Sequence, residues 1–479
     1  MSLAILPLAL GLHLMGAAAA APTFPLYDPV PATAVTFTTS DSALQGLYSH
    51  GADQEGGNGR PFLTSPRFDV LEEGAEYCGA WLETQPMGGA MWAVRNVRWA
   101  LNNQLVFLRA QRGDGRYPHR VDGCAASWHH PAPPECTLAA LGPHLQPSWT
   151  GAGLQGLFMA SPAVDIAWFL RLEEGNQADA YLTELRHSLQ KYDAYLWATR
   201  NDSTCLALAT GNTRNDSAEL ANCPPAPSAG PANRHKLLWS VGIGDSGEDG
   251  SIKYCRDATT DPKTHKRTWT NCTGPFLTMD MAGYSMDLRR ALARIAALQG
   301  EEAAERRWTA AAAEVADAAK AALWREDKSA MFDRYADNSW VTSLQHNNLR
   351  AMWLGLFDQG MADAFVRVNL MNRSRFFTKM PLPSISVSDD HFEDDSGNNW
   401  SGAPEGLTLQ RAIRALESYG HHAESVLIGL ALTEALLRSP GCAANGSRCA
   451  FPQQVSPSTG VPEPGDGYVR QAHPRSSAA

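Results

Sequence analysis

Beyond residue 276 the apolar positions recur every three or four residues, the spacing of one face of an α-helix. Met281, Tyr284, Leu288, Leu292, Ile295 and Leu298 form one such stripe, which ends at Gly300, a residue suited to the left-handed turn that closes a helix. A second stripe, Trp308, Val315, Ala319 and Leu323, follows at once in an alanine-rich segment, and alanine is the strongest helix former. The pattern returns late in the chain, where Leu409, Ile413, Leu416 and Tyr419 precede Gly420 and Val426, Leu430 and Leu437 follow it. Upstream, Met87 to Leu108 reads as one helix, and Gln155 to Leu172 with Ala178 to Thr199 as a further pair. Residues 113–150 and 201–275 are polar, rich in Pro and Gly, and hold most of the cysteines; they read as long loops, where function concentrates on a helical scaffold. Strand-like character is confined to Ala32 to Pro66. The pattern predicts an all-α domain of helical hairpins over residues 71–479, preceded by an extended segment over 22–70.

The first 21 residues stand apart. Leu3 to Met15 is apolar and runs into Gly16, several alanines and Pro22, which is the form of a secretory signal peptide cut near Ala20 or Ala21. No later stretch approaches the roughly 20 apolar residues a membrane-spanning helix needs. The expectation is a chain exported to the secretory lumen or beyond, and off the membrane once the signal is removed. Glycosylation acceptors at Asn201, Asn215, Asn271, Asn372, Asn399 and Asn445 agree with that. So do nine cysteines set mostly in close couples: Cys124 with Cys136, Cys205 with Cys223, Cys255 with Cys272, and Cys442 with Cys449, leaving Cys78 over. No CxxC pair is present, so a cysteine-built zinc site is not expected.

Charge narrows the partners. A net charge of −10 argues against nucleic acid, because phosphate binding asks for a basic surface. Fourteen tryptophans exceed what packing needs, and indole faces stack well on the apolar faces of sugar rings. Four loop segments combine Trp, Gly, carboxylates and amides: Trp81 to Gly89 (WLETQPMGG), Gln111 to Arg116 (QRGDGR), Gly244 to Ser251 (GDSGEDGS) and Asn398 to Gly406 (NNWSGAPEG). That mixture suits vicinal hydroxyls and a ring face, and so predicts a carbohydrate pocket that needs no cofactor. Glycosidic cleavage uses one protonated carboxyl at the leaving oxygen and one ionised carboxylate. The crowded Asp245, Glu248 and Asp249 supply such groups, since neighbouring carboxylates raise one another's pKa.

Taken in order, WLETQPMGG, QRGDGR, SGED, PLPSISVSD (Pro381 to Asp389) and NNWSG resemble the glycosidases built on an (α/α)6 toroid, closest to glycoside hydrolase family 63 and its mannosylglycerate-hydrolase-like relatives. The likeness covers about residues 70 to 468. It implies an inverting hydrolase of α-linked sugars with no metal in the chemical step. It places the general acid in a Ser-Gly-x-Asp loop, matched here by Ser246, Gly247, Glu248 and Asp249, which nominates Asp249, with Glu248 as the fallback. It also nominates Gln111, Arg112 and Asp114 as a pocket wall, Trp81, Glu83 and Gln85 in the loop before the first helix, and Trp400 as a stacking platform.

The far end departs from the family. Its base is a Glu in a Phe-x-Glu-x-x-x-Pro-x-Thr-Gly pattern, and here Gln453 stands at that position, between Phe451 and Pro457. An amide takes no proton from water at useful pH. Either Glu405, Asp395, Glu463 or Asp466 serves as base, or the protein binds sugar at Gln453 and its neighbours without cleaving it. After Tyr468 the chain is polar and without helical period, so the last helix of the toroid is expected to be missing. A lyase is a third reading, with His346 and Arg350 as base and carboxylate partner.

Overall fold

The computed structural model describes residues 38–57, 59–64, 67–72, 79–122, 146–148, 154, 156, 159–174, 177–201, 235–248, 251–263, 267–272, 274–394, 400–438 and 455–460. The signal peptide, Cys78, three of the four expected cysteine couples and the polar stretch after Tyr468 lie outside these residues. The fourth couple, Cys255 with Cys272, is a disulfide.

Helix α1 (Ser42–Gly57) and the antiparallel pair β1 (Gly59–Thr64) and β2 (Arg67–Leu71) come first. Among its described residues, the segment expected to be extended therefore contains a helix ahead of the strand pair. After β3 (Ala80–Trp81), the helix expected from Met87 to Leu108 is two helices, α2 (Gln85–Trp92) and α3 (Val97–Ala110). The cause is Asn96, whose side chain accepts from Trp99 N at 3.1 Å and so starts a new helix where apolar periodicity alone would continue the old one. Strands β4 (Arg120–Asp122) and β5 (Gln146–Ser148) join β3 in a small antiparallel sheet.

Helices α4 (Ala160–Glu174) and α5 (Gln177–Thr199) are the expected pair. Strand β6 (Trp239–Ser240) leads into a single helical turn, Ile243–Ser246, and the disulfide closes a hairpin of β7 (Asp257–Thr260) and β8 (Arg267–Thr270). Strand β9 (Phe276–Leu277) then feeds α6 (Met279–Leu298), which Thr278 caps by accepting from Met281 N at 3.2 Å. Gly300, at φ +75°, turns the chain into α7 (Glu302–Leu323). Short strands β10 (Trp324–Arg325), β11 (Ala330–Met331) and β12 (Arg334–Tyr335) precede α8 (Asn347–Trp353), α9 (Gln359–Phe365), α10 (Gly406–Ser418) and α11 (His422–Arg438).

Helix α6 is the central beam. It packs on α4, α5, α7 and α8, and α8 in turn packs on α10. One apolar cluster lies among α3, α4, α5 and α6, another among α7 to α11, and residues of α6 belong to both. The sheet β6–β9–β12 ties the loop before Glu248 to the start of α6 and to Asp333, with Ser240 opposite Phe276 and Phe276 opposite Tyr335.

The last helix corrects a sequence expectation. Val426 and Leu430, read as an inward stripe, are 60% and 59% exposed, whereas Ile428 and Leu432 face the core. Apolar residues surround α11, so periodicity gives its existence but not its buried face. Among the described residues no helix is long and apolar enough to cross a membrane.

Candidate active site

Glu248 is the hub of the polar interior. It is fully buried, and its carboxylate accepts from Lys253 Nζ, from Asn347 Nδ2 at 2.7 Å and from Arg350 Nη2 at 3.0 Å. His346 Nε2 stands 3.4 Å away. Burial alone would raise this carboxyl, but the charges of Lys253 and Arg350 and the bond from His346 hold it well below the usual glutamate range. That environment is the opposite of what a proton donor needs, so Glu248 is an ionised anchor.

A second acid shares the same donors. Asp280, in the first turn of α6, accepts from Asn347 Nδ2 at 2.7 Å and pairs with Arg350 Nη1 at 3.1 Å. Arg350 also donates to the Tyr284 hydroxyl at 3.0 Å and to the Ser246 carbonyl at 3.3 Å. Asp333 is anchored by Met279 N at 2.8 Å, and burial pushes its carboxyl up to about 7, with Lys253 opposing and Asp280 adding to the rise. The His346 ring is held by Thr408 Oγ1 at 2.7 Å on Nδ1. A neutral ring that donates from Nε2 to Glu248 and accepts at Nδ1 satisfies both contacts, in keeping with the way burial lowers this imidazole's pKa.

Two further walls meet this hub. Glu83, buried after β3, pairs with Arg411 of α10 at 3.5 Å and lies directly against Gly247, where any side chain would collide with its carboxylate. Burial, with Arg350 close by, lowers Arg411 to about 10. The segment that carries Trp400 packs on the other end of the Glu248 loop: Ser251 Oγ donates to the Trp400 carbonyl at 3.4 Å, and Ile252 N to Ser401 Oγ at 2.8 Å. The Trp400 ring is 5.7 Å from that of His346. Glu405, only 3% exposed, follows in the same segment. The Pro381–Asp389 strap closes the ring of contacts, since His346 N donates to the Ser384 carbonyl at 3.0 Å and Leu344 N to Asp389 Oδ2 at 2.7 Å.

Segments hundreds of residues apart thus converge on one buried polar centre, and the family model for the mannosylglycerate hydrolase MGH1-like glycoside hydrolase domain matches residues 88–468, which span all of them but Glu83. The chain belongs to the MGH1-like glycoside hydrolases. Two solved structures agree on the fold. One, the family 63 mannosylglycerate hydrolase from Thermus thermophilus in complex with glucose, superposes with a TM-score of 0.60 at 15% identity, over 88% of this chain and 97% of that one. The other, the same enzyme with Tris and D-glycerate, gives 0.59 at 13% identity over the same shares. The architecture is the (α/α)6 type of these glycosidases. A search of the curated proteins finds no match to this chain.

This MGH1-like hydrolase does not bring all the expected residues together. Glu83, Glu248 and Trp400 meet at the centre, and Glu405 sits in the segment that carries Trp400. Gln85 is turned to structure: its Oε1 accepts from Trp81 N at 2.7 Å. Trp81 itself is half-buried under Arg120, whose guanidinium lies 5.1 Å from its ring. Gln111, Arg112 and Asp114 form a brace against α5. Gln111 Nε2 donates to the carbonyls of Gly115 at 2.7 Å and Ser188 at 3.0 Å, and its Oε1 accepts from Ser188 Oγ at 2.8 Å. Arg112 pairs with Asp114 on the surface. Asp245 is a strut rather than part of a carboxylate couple, accepting from Leu154 N at 2.9 Å, Val241 N at 2.7 Å and Arg200 Nη2 at 3.0 Å.

Asp249, Gln453, Asp395, Glu463 and Asp466 lie outside the described residues. His346 and Arg350, the lyase set, are committed to Glu248, Asp280 and Thr408. Sequence reasoning missed Asp280, Lys253, Asn347, Asp333 and Arg411. The available signal was a charge on the buried stripe of an amphipathic helix, as with Asp280 between Met279 and Met281. Among the described residues no group of three or more His, Cys, Asp and Glu is placed to hold a metal ion.

Proposed function

We propose that this glycoside hydrolase acts in the secretory pathway as an inverting α-glycosidase, with Asp249 as general acid. The observation that carries the reading is the anchoring of the Ser246–Ser251 loop: its Glu248 carboxylate is buried among Lys253, Arg350, Asn347 and His346, while its other end is bonded to the Trp400 segment. A general acid must be held in hydrogen-bond reach of the leaving oxygen, and a loop tied at both ends to the core provides such a mount. For the base, Glu405 is favoured among the carboxylates near Trp400, being buried in that same segment. An inverting pair stands roughly 6.5–9.5 Å apart, with water between base and anomeric carbon.

The mannosylglycerate hydrolase that shares the fold, held with glucose or with D-glycerate, supports an α-linked hexoside of a small hydroxy acid as first substrate to test. The Cys255–Cys272 disulfide supports export, since such bonds persist in oxidising compartments. The test incubates purified protein with α-mannosyl- and α-glucosylglycerate and a panel of α-linked disaccharides, following the product anomer by NMR. Turnover with inversion is expected, and Asp249→Asn should lower kcat about 1,000-fold, within the range of general-acid effects. Unchanged turnover in a folded Asp249→Asn variant removes Asp249 from the acid role.

A second reading rests on Gln453 at the family's base position. It makes the protein a sugar-binding relative without turnover. Calorimetric binding to the same panel with no product released would establish it.

A further inference from the structure

We infer that His391, held as an imidazolium, is a pH-dependent clasp between the disulfide-closed β7–β8 hairpin and the Pro381–Asp389 strap. The ring is buried, and both of its nitrogens face acceptors: Nδ1 stands 3.0 Å from Asp389 Oδ1, and Nε2 stands 3.1 Å from the Cys255 carbonyl. A neutral imidazole has one N–H and one lone pair, so it can donate to one of these two groups but not to both. Only the doubly protonated ring satisfies the pair. Trp269 of β8 lies against the same ring, with centroids 4.1 Å apart and planes 19° from parallel, and an indole face attracts a cation placed over it. The charged group bonded to the ring is Asp389, at the end of the strap; from the hairpin the ring meets a neutral carbonyl and an indole.

Both sides of the clasp are anchored at the polar centre. Asp389 Oδ2 accepts from Leu344 N at 2.7 Å, Ser386 N donates to the Leu344 carbonyl at 2.9 Å, and Gln345 bridges to Ile385. The strap is thus laddered onto the residues that lead into His346. On the hairpin side, Cys255 is bonded to Cys272, its N–H donates to the Ile252 carbonyl at 2.9 Å, and Ile252 N donates to Ser401 Oγ at 2.8 Å. His391 therefore joins two borders of the site that lie 136 residues apart in the chain. A separate tie holds the base of the hairpin: the Arg256 guanidinium lies 3.6 Å from the Tyr335 ring and donates from Nη1 to Asp337 Oδ2 at 2.8 Å. Arginine keeps its charge at every pH of interest, so this tie persists when the clasp opens.

The direction follows from the acceptors. When the ring gives up one proton, the carboxylate is the stronger acceptor, so Nδ1 keeps its hydrogen and Nε2 turns a lone pair toward the Cys255 carbonyl. The clasp is shut in acid and opens as pH rises through the range, about 5 to 8, in which imidazoles change charge.

The experiment follows amide hydrogen exchange in the full-length protein with its disulfide intact, at about pH 5 and about pH 8, the two ends of that range. Rates are corrected for the intrinsic effect of pH, and α5 serves as the reference for global opening. Relative to α5, the wild-type hairpin should be about tenfold less protected at the higher pH, the scale of one lost hydrogen bond. His391→Gln places a group there that does not titrate, and should give the same relative protection at both. Asp389→Asn keeps an acceptor for Leu344 N but removes the charge that favours the imidazolium, so the loss of protection should move to lower pH. Should His391→Gln fail to fold, Asp389→Asn carries the test. Equal relative protection at both pH values in wild type overturns the clasp. So does an unchanged pH dependence in folded His391→Gln, or an unmoved midpoint in folded Asp389→Asn.

Discussion

The turns at Gln111–Arg116 and Ser246–Ser251 have similar composition and opposite fates. Both are short, glycine-bearing and charged, and both read from sequence as sugar-binding loops. In the first, each polar atom of Gln111 is bonded to the turn itself or to Ser188 of α5, and Arg112 spends its charge on Asp114 two residues away. In the second, the buried carboxylate reaches partners far off in the chain: Arg350 and Asn347 meet Glu248 across separations of 102 and 99 residues. A turn bonded to itself and to one helix makes a brace, and a buried carboxylate shared among charged groups of several elements makes a hub. Residue type alone does not separate the two, because the same amide or carboxylate serves either end.

Breaking the hub should cost far more than breaking the brace. Arg350→Met deprives both Glu248 and Asp280 of a cation in the core, and removing one partner of a buried ion pair costs about 3–5 kcal/mol. Denaturant unfolding should show a loss in that range, together with loss of hydrolysis. Arg112→Met, by contrast, removes a surface ion pair whose worth is about 0–1 kcal/mol. Equal losses for the two arginines would dissolve the distinction.

The same contrast explains what was legible in the sequence. The α6–α7 hairpin was readable to within a few residues because its apolar stripes and Gly300 turn act locally. So was the Cys255–Cys272 couple, with a sequence separation of 17. The break between α2 and α3 was not, since one Asn96 cap outweighs continuous periodicity. Nor was the buried face of α11, where apolar residues lie all round. At the site, Glu83, Glu248 and Trp400 were legible as segments of a family pattern. Asp280, Asn347 and Arg411 were hidden because their partners lie on other elements, and a charge on an apolar stripe declares its purpose only when the opposite charge is seen beside it.

The hub should also leave a mark on the pH dependence of stability toward neutrality, whereas in the brace Asp114, lowered by Arg112, acts only in acid. Burial holds Asp333 at about 7 in the folded chain, against about 3.9 for an unfolded aspartate. The folded state therefore binds this proton more tightly, so the stability it contributes is complete below about pH 4 and is lost as pH rises to about 7. Glu248 runs the other way: its depressed value contributes stability above the ordinary glutamate range, lost as pH falls below it. Tm should decline between about pH 5 and pH 7, as stability falls on the order of a few kcal/mol. Asp333→Asn keeps an acceptor for Met279 N and should flatten that decline. An identical slope in the variant would mean that another group holds the proton.

A modest effect at the brace sharpens the comparison most. Gln111→Ala leaves the carbonyls of Gly115 and Ser188 and the hydroxyl of Ser188 short of a partner, and a lost buried hydrogen-bond partner costs about 1–3 kcal/mol. Tyr117, whose hydroxyl shares Ser188 Oγ at 2.6 Å, limits the loss by holding that hydroxyl in place, so the lower end of the range is expected. Because the brace touches α5 and not the Glu248 hub, kcat and KM should stay within about twofold of wild type even as Tm falls, as for sites that share no partners. A KM raised tenfold or more with Tm unchanged would return Gln111 to the sugar pocket, and would mean that a turn bonded to itself and to α5 can still present a face to substrate.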